Sequence, residues 1–429
     1  MIYAKLYDEW NASRGGRTPR YLDFRIGGAT PTEFSEKIDK LFQAAKRQWP
    51  GVFVDGERID LTPSHLVTCG SFLESIKLFN SNLQIIDEAF EYLSTQVGKA
   101  KKGQYFTPRH VIDMCVEMLN PTVDEFMIDT AAGSCGFIVH TIFHVWGSEF
   151  AAEGPTDWQR EFAREKIYAL DFDVRSIKIA KALNLIAGDG KTNVYKANTL
   201  DPKSWTDDVK VALKPRLLKL AGHSENQHNV KNMRNFDFDV LMTNPPFAGD
   251  IKDSRVLHQY DLGKKPTGKW RKKCARDILF IERNLEFVRP GGRLCIVLPQ
   301  SRLNNVSDKQ IRAYLADKCR ILASVSLNVN TFKPHANIKT SILFLQKWND
   351  DKNQGPYCPK VDDYPIFTAQ SFKSGKDSKG EYLYKVGLDG LPMLDAHGHM
   401  ILLHDLTEIS AAFRQFGAAN GFRFCGGPE

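Results

Sequence analysis

The chain has 429 residues with a formal net charge of +7, and 42% of its residues are hydrophobic and 25% charged. This is the composition of a globular protein of roughly two or three folding units, and it contains no run of about 18 apolar residues that would predict a membrane span. The N-terminus lacks a signal-peptide pattern and the eight cysteines form no Cys-x-x-Cys pair, so we expect a cytoplasmic protein without a zinc site or a disulfide framework.

The first hundred residues are predicted to be mostly helical. Three Thr-Pro steps indicate helix starts, because a Thr side chain can cap free N–H groups and Pro suits the first helical position. These steps are Thr30-Pro31, Thr62-Pro63 and Thr107-Pro108. Apolar residues recur at helical spacing after the first step and again before residue 100. They are Phe34, Ile38, Leu41, Phe42, Leu83, Ile86, Phe90 and Leu93. We therefore predict a helical N-terminal domain over residues 1–102.

Between residues 103 and 350 the pattern changes to strands that alternate with helices. Short apolar runs predict strands at 126–128, 167–170, 193–197, 238–242, 293–298, 321–327 and 341–345. Helical stretches lie between most of them, for example at 174–187 and 277–288. This alternation predicts an α/β domain with a mostly parallel sheet and helices on both faces. Residues 351–429 are predicted to form a C-terminal extension of loops, short strands and one amphipathic helix near 406–416.

Polar residues follow four of the predicted strands, at the ends where ligands of such sheets bind. They are Asp129, Asp171, Asn198 and Asn244. An acid at a strand end can accept hydrogen bonds from both hydroxyls of a ribose, which suggests this role for Asp171. For Asp171 taken alone, a solvated or helix-capping carboxylate is the simpler interpretation.

A run of small residues follows Asp129 and leads into a predicted helix. The run contains Ala131, Gly133, Ser134, Cys135 and Gly136. Small residues let backbone N–H groups approach a ligand closely, and a helix N-terminus favours an anionic group. The Gly-x-Gly-x-x-Gly spacing of a dinucleotide site is absent, which favours a smaller nucleoside ligand whose other end carries a carboxylate. A plain tight turn between strand and helix stays open as the alternative.

The stretch Thr243-Asn244-Pro245-Pro246-Phe247 suits chemistry on the exocyclic amine of a nucleobase. The lone pair of that amine is delocalised into the ring, and two acceptors on its N–H bonds would return the lone pair to the nitrogen. The Asn244 side-chain oxygen and the Pro245 carbonyl can be those acceptors, because proline fixes the backbone and offers no competing donor. Phe247 can stack on the base. A rigid turn at a strand end is the alternative.

Taken together, these stretches resemble the S-adenosylmethionine-dependent amino-methyltransferases, and specifically the modification subunit of type I restriction–modification systems, which methylates adenine N6 in DNA. Three motifs carry the resemblance in the family's order: Gly103 to Arg109 (GQYFTPR, the most discriminating), Asp129 to Phe137, and Thr243 to Phe247. Two positions depart from the family pattern, since Thr130 stands where Pro is usual and Cys135 where Gly or Ala is usual. The chain is also expected to be shorter than the family at both ends.

The resemblance implies a Rossmann-like S-adenosylmethionine-dependent methyltransferase domain after the helical domain. It implies cofactor contacts at or beside Gln104, Tyr105, Phe106, Thr107, Pro108, Arg109, Asp129, Ala131, Gly133, Ser134, Cys135, Gly136, Asp171 and Asn198. It implies catalytic roles for Asn244, Pro245, Pro246 and Phe247. No metal is expected, because His110 and His335 belong to no cluster with ligand spacing.

The implied partners are double-stranded DNA, a separate specificity subunit that reads the target sequence, and a restriction subunit as a further candidate, with no membrane. The positive net charge permits DNA as a partner, and a basic stretch lies between Lys252 and Arg276, directly after the double proline. Its cations are Arg255, Lys264, Lys265, Lys269, Arg271, Lys272 and Lys273, with Trp270 among them. A flexible loop there could hold phosphates, and an ordinary solvated loop is the alternative.

Two other functions stay open on the sequence. The same amine or amide chemistry serves methyltransferases that act on RNA or on protein glutamine. A non-catalytic scaffold that binds the cofactor and a partner without turnover is the second alternative, although the intact Asn-Pro-Pro-Phe disfavours it.

Overall fold

The computed structural model describes residues 1–13, 22–49, 52–53, 56–79, 107–147, 155–186, 193–334, 336–395 and 400–426. Some predicted features lie outside the described residues. They are the helical pattern at 83–93, the cofactor contacts Gln104, Tyr105 and Phe106, and His335.

Three helices begin the chain: α1 (Ile2–Ser13), α2 (Pro31–Gln48) and α3 (Pro63–Leu73). Thr30 forms a capping box with Glu33, and the Thr62 hydroxyl accepts the backbone N–H of His65. A further helix begins at Arg109, directly after Thr107-Pro108, so all three predicted helix starts are confirmed. The apolar side of α2 enters a small core of Ala4, Phe24, Phe34, Ile38, Leu41, Phe42 and Leu66. The helical character predicted for the N-terminal part is therefore correct in its described residues.

Strands and helices alternate after residue 107. The strands are β1 (Met127–Asp129), β2 (Ile167–Asp171), β3 (Val194–Lys196), β4 (Phe238–Thr243), β5 (Asp250–Ile251), β6 (Cys274–Ala275), β7 (Val288–Pro299), β8 (Cys319–Ser326), β9 (Thr340–Lys347) and β10 (Phe367–Gln370). The helices are α4 (Arg109–Leu119), α5 (Gly136–Trp146), α6 (Asp157–Lys166), α7 (Val174–Ile186), α8 (Asp207–Leu213), α9 (His223–Asn232), α10 (Ser254–Leu257), α11 (Arg276–Phe287), α12 (Ser301–Asn304), α13 (Lys309–Lys318) and α14 (Leu406–Ala419). All seven predicted strands fall on members of this set.

Within the described residues the main sheet has eight strands in the order β10-β8-β9-β7-β4-β1-β2-β3, and β5 and β6 form a separate antiparallel pair. Of these eight strands, only β9 runs against its neighbours. Successive side chains of a strand point to opposite faces, and β4 shows the result: Val240 and Met242 pack in one apolar core, and Leu241 packs in another on the opposite face. The predicted α/β fold with a mostly parallel sheet, preceded by helices, is confirmed.

The parallel strands β4, β1, β2 and β3 are neighbours and point the same way. Their carboxyl ends therefore meet at one edge of the sheet, which we call the carboxyl edge. Asp129 and Asp171 are the last residues of β1 and β2, and Asn244 directly follows β4. The sheet thus places on one edge the residues that the sequence predicts to be a site.

The C-terminal residues complete the same sheet. Strand β10 pairs in parallel with β8, and α14 packs against α4. Phe413 in α14 is fully buried, as the predicted amphipathic pattern requires. The domain boundaries at 102 and 350 stay predictions. Within the described part of the chain, no helix has both the length and the apolar character that crossing a membrane requires.

Candidate active site

The corner after β4 is tightly packed. Thr243 and Pro245 are buried, whereas Asn244 and Pro246 are half-buried. A proline restricts the residue before it to extended conformations, so Asn244 and Pro245 are both fixed by the prolines that follow them. The corner is therefore a rigid platform at the carboxyl edge.

The Asn244 side chain is held at one end only. Its Nδ2 donates to the Thr107 hydroxyl at 3.0 Å, and its Oδ1 is shielded from solvent without a hydrogen-bond partner among the described residues. A buried acceptor without a partner costs about 1–3 kcal/mol, and most such atoms in proteins are satisfied. A ligand that donates a hydrogen bond to Asn244 Oδ1 would therefore remove this cost.

Thr107 does not have the capping role that the sequence predicted. The N-cap of α4 is Pro108, whose carbonyl accepts the N–H groups of Val111 and Ile112, and no side chain caps this helix. The prediction of a third Thr cap was wrong because the Thr107 hydroxyl engages Asn244 instead. Pro108 is buried, and Arg109 is the first residue of the helix.

The Phe247 side chain is buried in the protein rather than exposed to solvent. Its ring is 8% exposed and meets Phe332 edge to face, with ring centroids 6.3 Å apart. Such pairs stabilise a packed arrangement, so the two rings form one wall of the corner. Stacking of Phe247 on a base stays a prediction.

The run of small residues between β1 and α5 forms a tight loop whose backbone requires small side chains. Gly133 and Cys135 both have positive φ angles, +53° and 67°, a conformation that glycine adopts freely and other residues rarely. A Cβ added at Gly136 would lie 2.5 Å from Ile112 Cδ1 of α4, whereas one added at Gly133 would meet nothing within 4 Å. Gly136 thus lets α5 approach the Ile112 side chain closely, and Gly133 borders open space.

Asp171 ties this loop to β2. One of its carboxylate oxygens accepts the Gly133 N–H at 2.8 Å and the other accepts the Asp173 N–H at 2.7 Å. Burial raises the pKa of Asp171 to about 6 despite these bonds. Phe172, the next residue, is 71% exposed. Sequence analysis missed Phe172, because a single aromatic residue after a strand forms no pattern, and its position beside Asp171 was the available signal.

Asp129 lies beneath the loop. It is 1% exposed, its Oδ1 accepts the Ala131 N–H at 3.0 Å, and burial raises its pKa to about 7. It therefore supports the loop from inside, and the half-buried Ala131 and Ser134 lie closer to solvent. Asn198 has a similar local role, since its Oδ1 accepts the Leu200 N–H at 3.2 Å.

A buried polar network joins the strand ends. The Thr130 hydroxyl donates to Asn284 Oδ1 of α11 at 2.6 Å, and the Thr199 hydroxyl donates to the Thr130 carbonyl at 2.6 Å. Thr130 and Asn284 are 1% and 0% exposed. The hydroxyl at position 130, where the family resemblance leads one to expect proline, therefore has a dedicated partner on a neighbouring helix.

The basic stretch after the corner is folded rather than an open flexible loop. Strands β5 and β6 pair, and the apolar side chains of the stretch are buried together in a cluster with Leu200 and α11; they include Val256, Leu257, Tyr260 and Cys274. Three of its cations form ion pairs: Arg255 with Asp253, Lys264 with Asp261, and Lys273 with Asp250. Lys265, Lys269 and Lys272 are exposed and have no carboxylate partner among the described residues. The seventh cation, the half-buried Arg271, donates to the Lys264 carbonyl and to Gln310 Oε1. Among the seven, the exposed cations without a carboxylate partner are therefore these three lysines.

The described residues contain no group of three His, Cys, Asp or Glu side chains placed to hold a metal ion. The site is instead made of amide and backbone acceptors, one buried and one half-buried carboxyl group, and an exposed ring. Such a set of groups suits hydrogen bonding and stacking of an organic ligand.

The chain is similar in sequence to known methylase subunits. The methylase subunit of the type I restriction enzyme EcoKI from Escherichia coli K12 is 25% identical over 348 residues, which are 77% of this chain and 59% of that protein. The EcoEI methylase subunit of Escherichia coli is 24% identical over 270 residues, 61% of this chain and 47% of that protein. The chain thus spans about half the length of these curated relatives.

Solved structures show the same fold. The type I restriction–modification methyltransferase subunit from Streptococcus thermophilus superposes with a TM-score of 0.53 and 16% identity, over 91% of this chain and 71% of that chain. A structure of the type I restriction–modification system, solved to explain its assembly and conformational transition, gives a TM-score of 0.58 and 17% identity over 100% of this chain and 78% of that chain. The family model for N-6 DNA methylases matches residues 82–362, well over half of the sequence, and the chain therefore belongs to the N-6 DNA methylase family.

Proposed function

We propose that this chain is the catalytic modification subunit of a type I restriction–modification system, which transfers a methyl group from S-adenosylmethionine to adenine N6 in DNA. A separate specificity subunit would supply the target sequence. The proposal rests most directly on one observation, the unpartnered buried Oδ1 of Asn244 at the carboxyl edge.

That atom matches the need of the reaction. The adenine amine is a poor nucleophile while its lone pair is shared with the ring. A hydrogen bond from the amine to Asn244 Oδ1 and another to the Pro245 carbonyl would draw the nitrogen toward a pyramidal geometry. No backbone N–H of the described residues donates a hydrogen bond to the Pro245 carbonyl. The role of this corner is therefore to orient and polarise the amine.

The loop and the end of β2 fit the cofactor. S-adenosylmethionine, when bound, supplies an electrophilic methyl group on a sulfonium. The carboxylate of Asp171 retains lone pairs that can accept ribose hydroxyls, and the exposed ring of Phe172 next to it can stack on an adenine. The open space beside Gly133 leaves room for a ligand to approach the loop. The roles proposed for Gln104, Tyr105, Phe106, Pro108, Arg109 and Ser134 rest on the family resemblance.

Access to the base sets a further condition. The target adenine is paired inside duplex DNA and has to flip out to reach the corner, at a cost of a few kcal/mol. Asn244 Oδ1 is closed to solvent in this structure, so the incoming base has to open the site. Lys265, Lys269 and Lys272 lie on the basic stretch that follows the corner and are proposed to contact DNA phosphates.

The test is transfer of a labelled methyl group by the full-length protein in the complex that its own cells assemble. Duplex DNA from cells that lack adenine methylation should accept the label at adenine N6, and RNA and protein should not. Asn244→Ala should abolish transfer while calorimetry shows unchanged donor affinity, and the exposed Asn353→Ala should behave as the wild type. Label on RNA or glutamine would overturn the assignment to DNA, and donor binding without any transfer would favour a scaffold.

A further inference from the structure

We propose that Thr107 is a positioning residue that selects the reactive orientation of the Asn244 amide. The inference rests on the proposed role of Asn244 as an acceptor for the substrate amine, and it replaces the direct cofactor contact that the sequence implied for Thr107. The observation behind it is the hydrogen bond from Asn244 Nδ2 to the Thr107 hydroxyl at 3.0 Å.

An asparagine amide has two orientations of nearly the same shape, and only one serves this chemistry. With Oδ1 toward the substrate, the amide accepts an N–H bond of the amine. With Nδ2 toward the substrate, two donors face each other and the amine is not polarised. Rotation about the last side-chain bond of Asn is broad and roughly two-fold, so a neighbouring group has to choose between the two orientations.

The described surroundings of Asn244 offer one such group. The Thr107 hydroxyl is the only side-chain hydrogen-bond partner of Asn244 within the described residues, and as an acceptor it holds Nδ2 and leaves Oδ1 for the substrate. A hydroxyl can also donate, so its own proton is available to another acceptor at the site. When that proton is engaged elsewhere, the oxygen can only accept, and the amide is locked in the reactive orientation.

Both partners are carried by rigid parts of the fold, although 137 residues separate them in the chain. Asn244 lies between the buried β4 residue Thr243 and the buried Pro245. Thr107 precedes the buried Pro108, which is the N-cap of α4, and α4 packs into the core through Val111. The hydrogen bond therefore links two fixed elements, and its effect is to fix the orientation of the Asn244 amide.

A positioning role and a cofactor contact predict different kinetics. Loss of a cofactor contact weakens donor binding, whereas loss of positioning lowers the rate of transfer at saturating donor. In the assembled complex, Thr107→Val, which keeps the shape and removes the hydroxyl, should lower the single-turnover rate on the order of tenfold. The donor dissociation constant by calorimetry should change less than about twofold, and Thr107→Ser should restore the rate.

A carboxylate at position 244 provides the decisive control, because its two oxygens are equivalent and its orientation does not matter. Adding Thr107→Val to Asn244→Asp should therefore change the residual rate by less than about twofold, in contrast with the tenfold loss in the wild-type background. Equal losses in both backgrounds, or a weakened donor affinity that accounts for the lower rate, would overturn the proposal. Each comparison uses the rates of two variants on the same methyl-accepting substrate. If the wild type methylated RNA instead of DNA, the proposed function would be refuted, but the test of Thr107 would still hold.

A measurement that needs no turnover completes the test. In the chain labelled with ¹⁵N-asparagine, the Asn244 NH₂ signals are identified by their loss in Asn244→Asp. Their hydrogen exchange should be several-fold faster in Thr107→Val than in the wild type or in Thr107→Ser, because the hydroxyl no longer accepts the bond. Equal exchange in all three would show that Thr107 does not hold the amide, and it would refute the inference even for a protein without activity.

Discussion

The carboxylate of Asp171 accepts the backbone N–H of Gly133 at 2.8 Å, which ties the end of β2 to the loop between β1 and α5. The Ala132 N–H adds a second bond, to the Leu170 carbonyl, at 3.0 Å. Two neighbouring strand ends and the glycine loop are thus one unit. A ligand that contacts the loop is therefore also held near Asp171 and Phe172.

Phe172 is predicted to contribute to donor binding through its exposed ring. Phe172→Ala should weaken S-adenosylmethionine binding on the order of tenfold or more, because stacking on a base contributes roughly 1–3 kcal/mol. Calorimetric titration of the purified protein measures this. Phe372, which is 72% exposed against 71% for Phe172, provides a matched control in the C-terminal extension. Donor affinity unchanged in Phe172→Ala, or lowered equally in Phe372→Ala, would contradict the prediction.

Asp129 is predicted to make stability depend on pH. Burial raises its pKa from 3.8 to about 7 in the folded protein, so between these values the folded state holds a proton that the unfolded state has lost. This contribution to stability is fully present below pH 3.8 and is lost as the pH rises through 7. Asp129→Asn carries no charge and keeps an oxygen that can accept the Ala131 N–H.

The stability of Asp129→Asn relative to the wild type should therefore increase as the pH rises. The difference in the free energy of unfolding, Asp129→Asn minus wild type, is expected to grow by roughly 1–3 kcal/mol between about pH 5 and pH 8. Urea unfolding at several pH values measures it. The same difference at every pH would show that this carboxyl group does not retain its proton in the fold.

The pair of Thr130 and Asn284 is predicted to stabilise the floor of the site. Thr130→Val removes the 2.6 Å bond to Asn284 Oδ1 and leaves a buried amide without that partner, so it should destabilise the protein by about 1–3 kcal/mol. Adding Asn284→Leu should recover part of the loss, because both polar partners are then absent. Chemical denaturation measures both values.

The buried Thr141 offers a control for the loss of a hydroxyl. Its hydroxyl donates to the Phe137 carbonyl of its own helix at 2.7 Å, and that carbonyl already serves the helix. Thr141→Val should therefore cost less than Thr130→Val. If the double variant lost the sum of the two single losses, Thr130 and Asn284 would not act as a pair.

Local signals in the sequence predicted most of the fold, and tertiary partners decided the exceptions. The capping box of Thr30 and Glu33 involves neighbours in the chain and was predictable. Thr107 has the same Thr-Pro signal, but a partner 137 residues away takes its hydroxyl. Strand β7 begins at Val288, five residues before the predicted start, because Val288 pairs with Phe238 of β4 ahead of an irregularity in the register of the two strands. The Pro-Gly-Gly sequence at 290–292 is typical of a turn, and the pairing with β4 that makes it part of a strand is not visible in the local sequence.

The candidate site shows the same division. Apolar runs in the sequence put Asp129, Asp171 and Asn244 at strand ends, and the sheet topology brings them to one edge. The sequence could not distinguish the buried Asp129 from the half-buried Asp171, because both follow apolar strands. Nor could it predict that the basic stretch folds around buried Tyr260, since neutralising ion pairs and apolar packing depend on the fold.

Lys265, Lys269 and Lys272 are predicted to supply the salt-dependent part of DNA binding by the assembled complex. Each phosphate that a protein no longer neutralises lowers the slope of log K against log salt by about 0.9. The triple Lys→Gln variant should therefore flatten the slope by up to roughly 2.7. Fluorescence anisotropy of labelled duplex DNA, titrated at several salt concentrations between about 50 and 200 mM, measures the slope.

Two sets of lysines provide controls for the triple variant. Lys264 and Lys273 belong to the same stretch but pair with carboxylates, so their substitution is expected to matter less. Lys214, Lys219 and Lys231 are exposed and lie around α8 and α9, outside the basic stretch, so the same substitutions there should leave the slope unchanged. A slope that is equal in both triple variants would mean that Lys265, Lys269 and Lys272 are solvated charges, and that phosphates are held elsewhere in the complex.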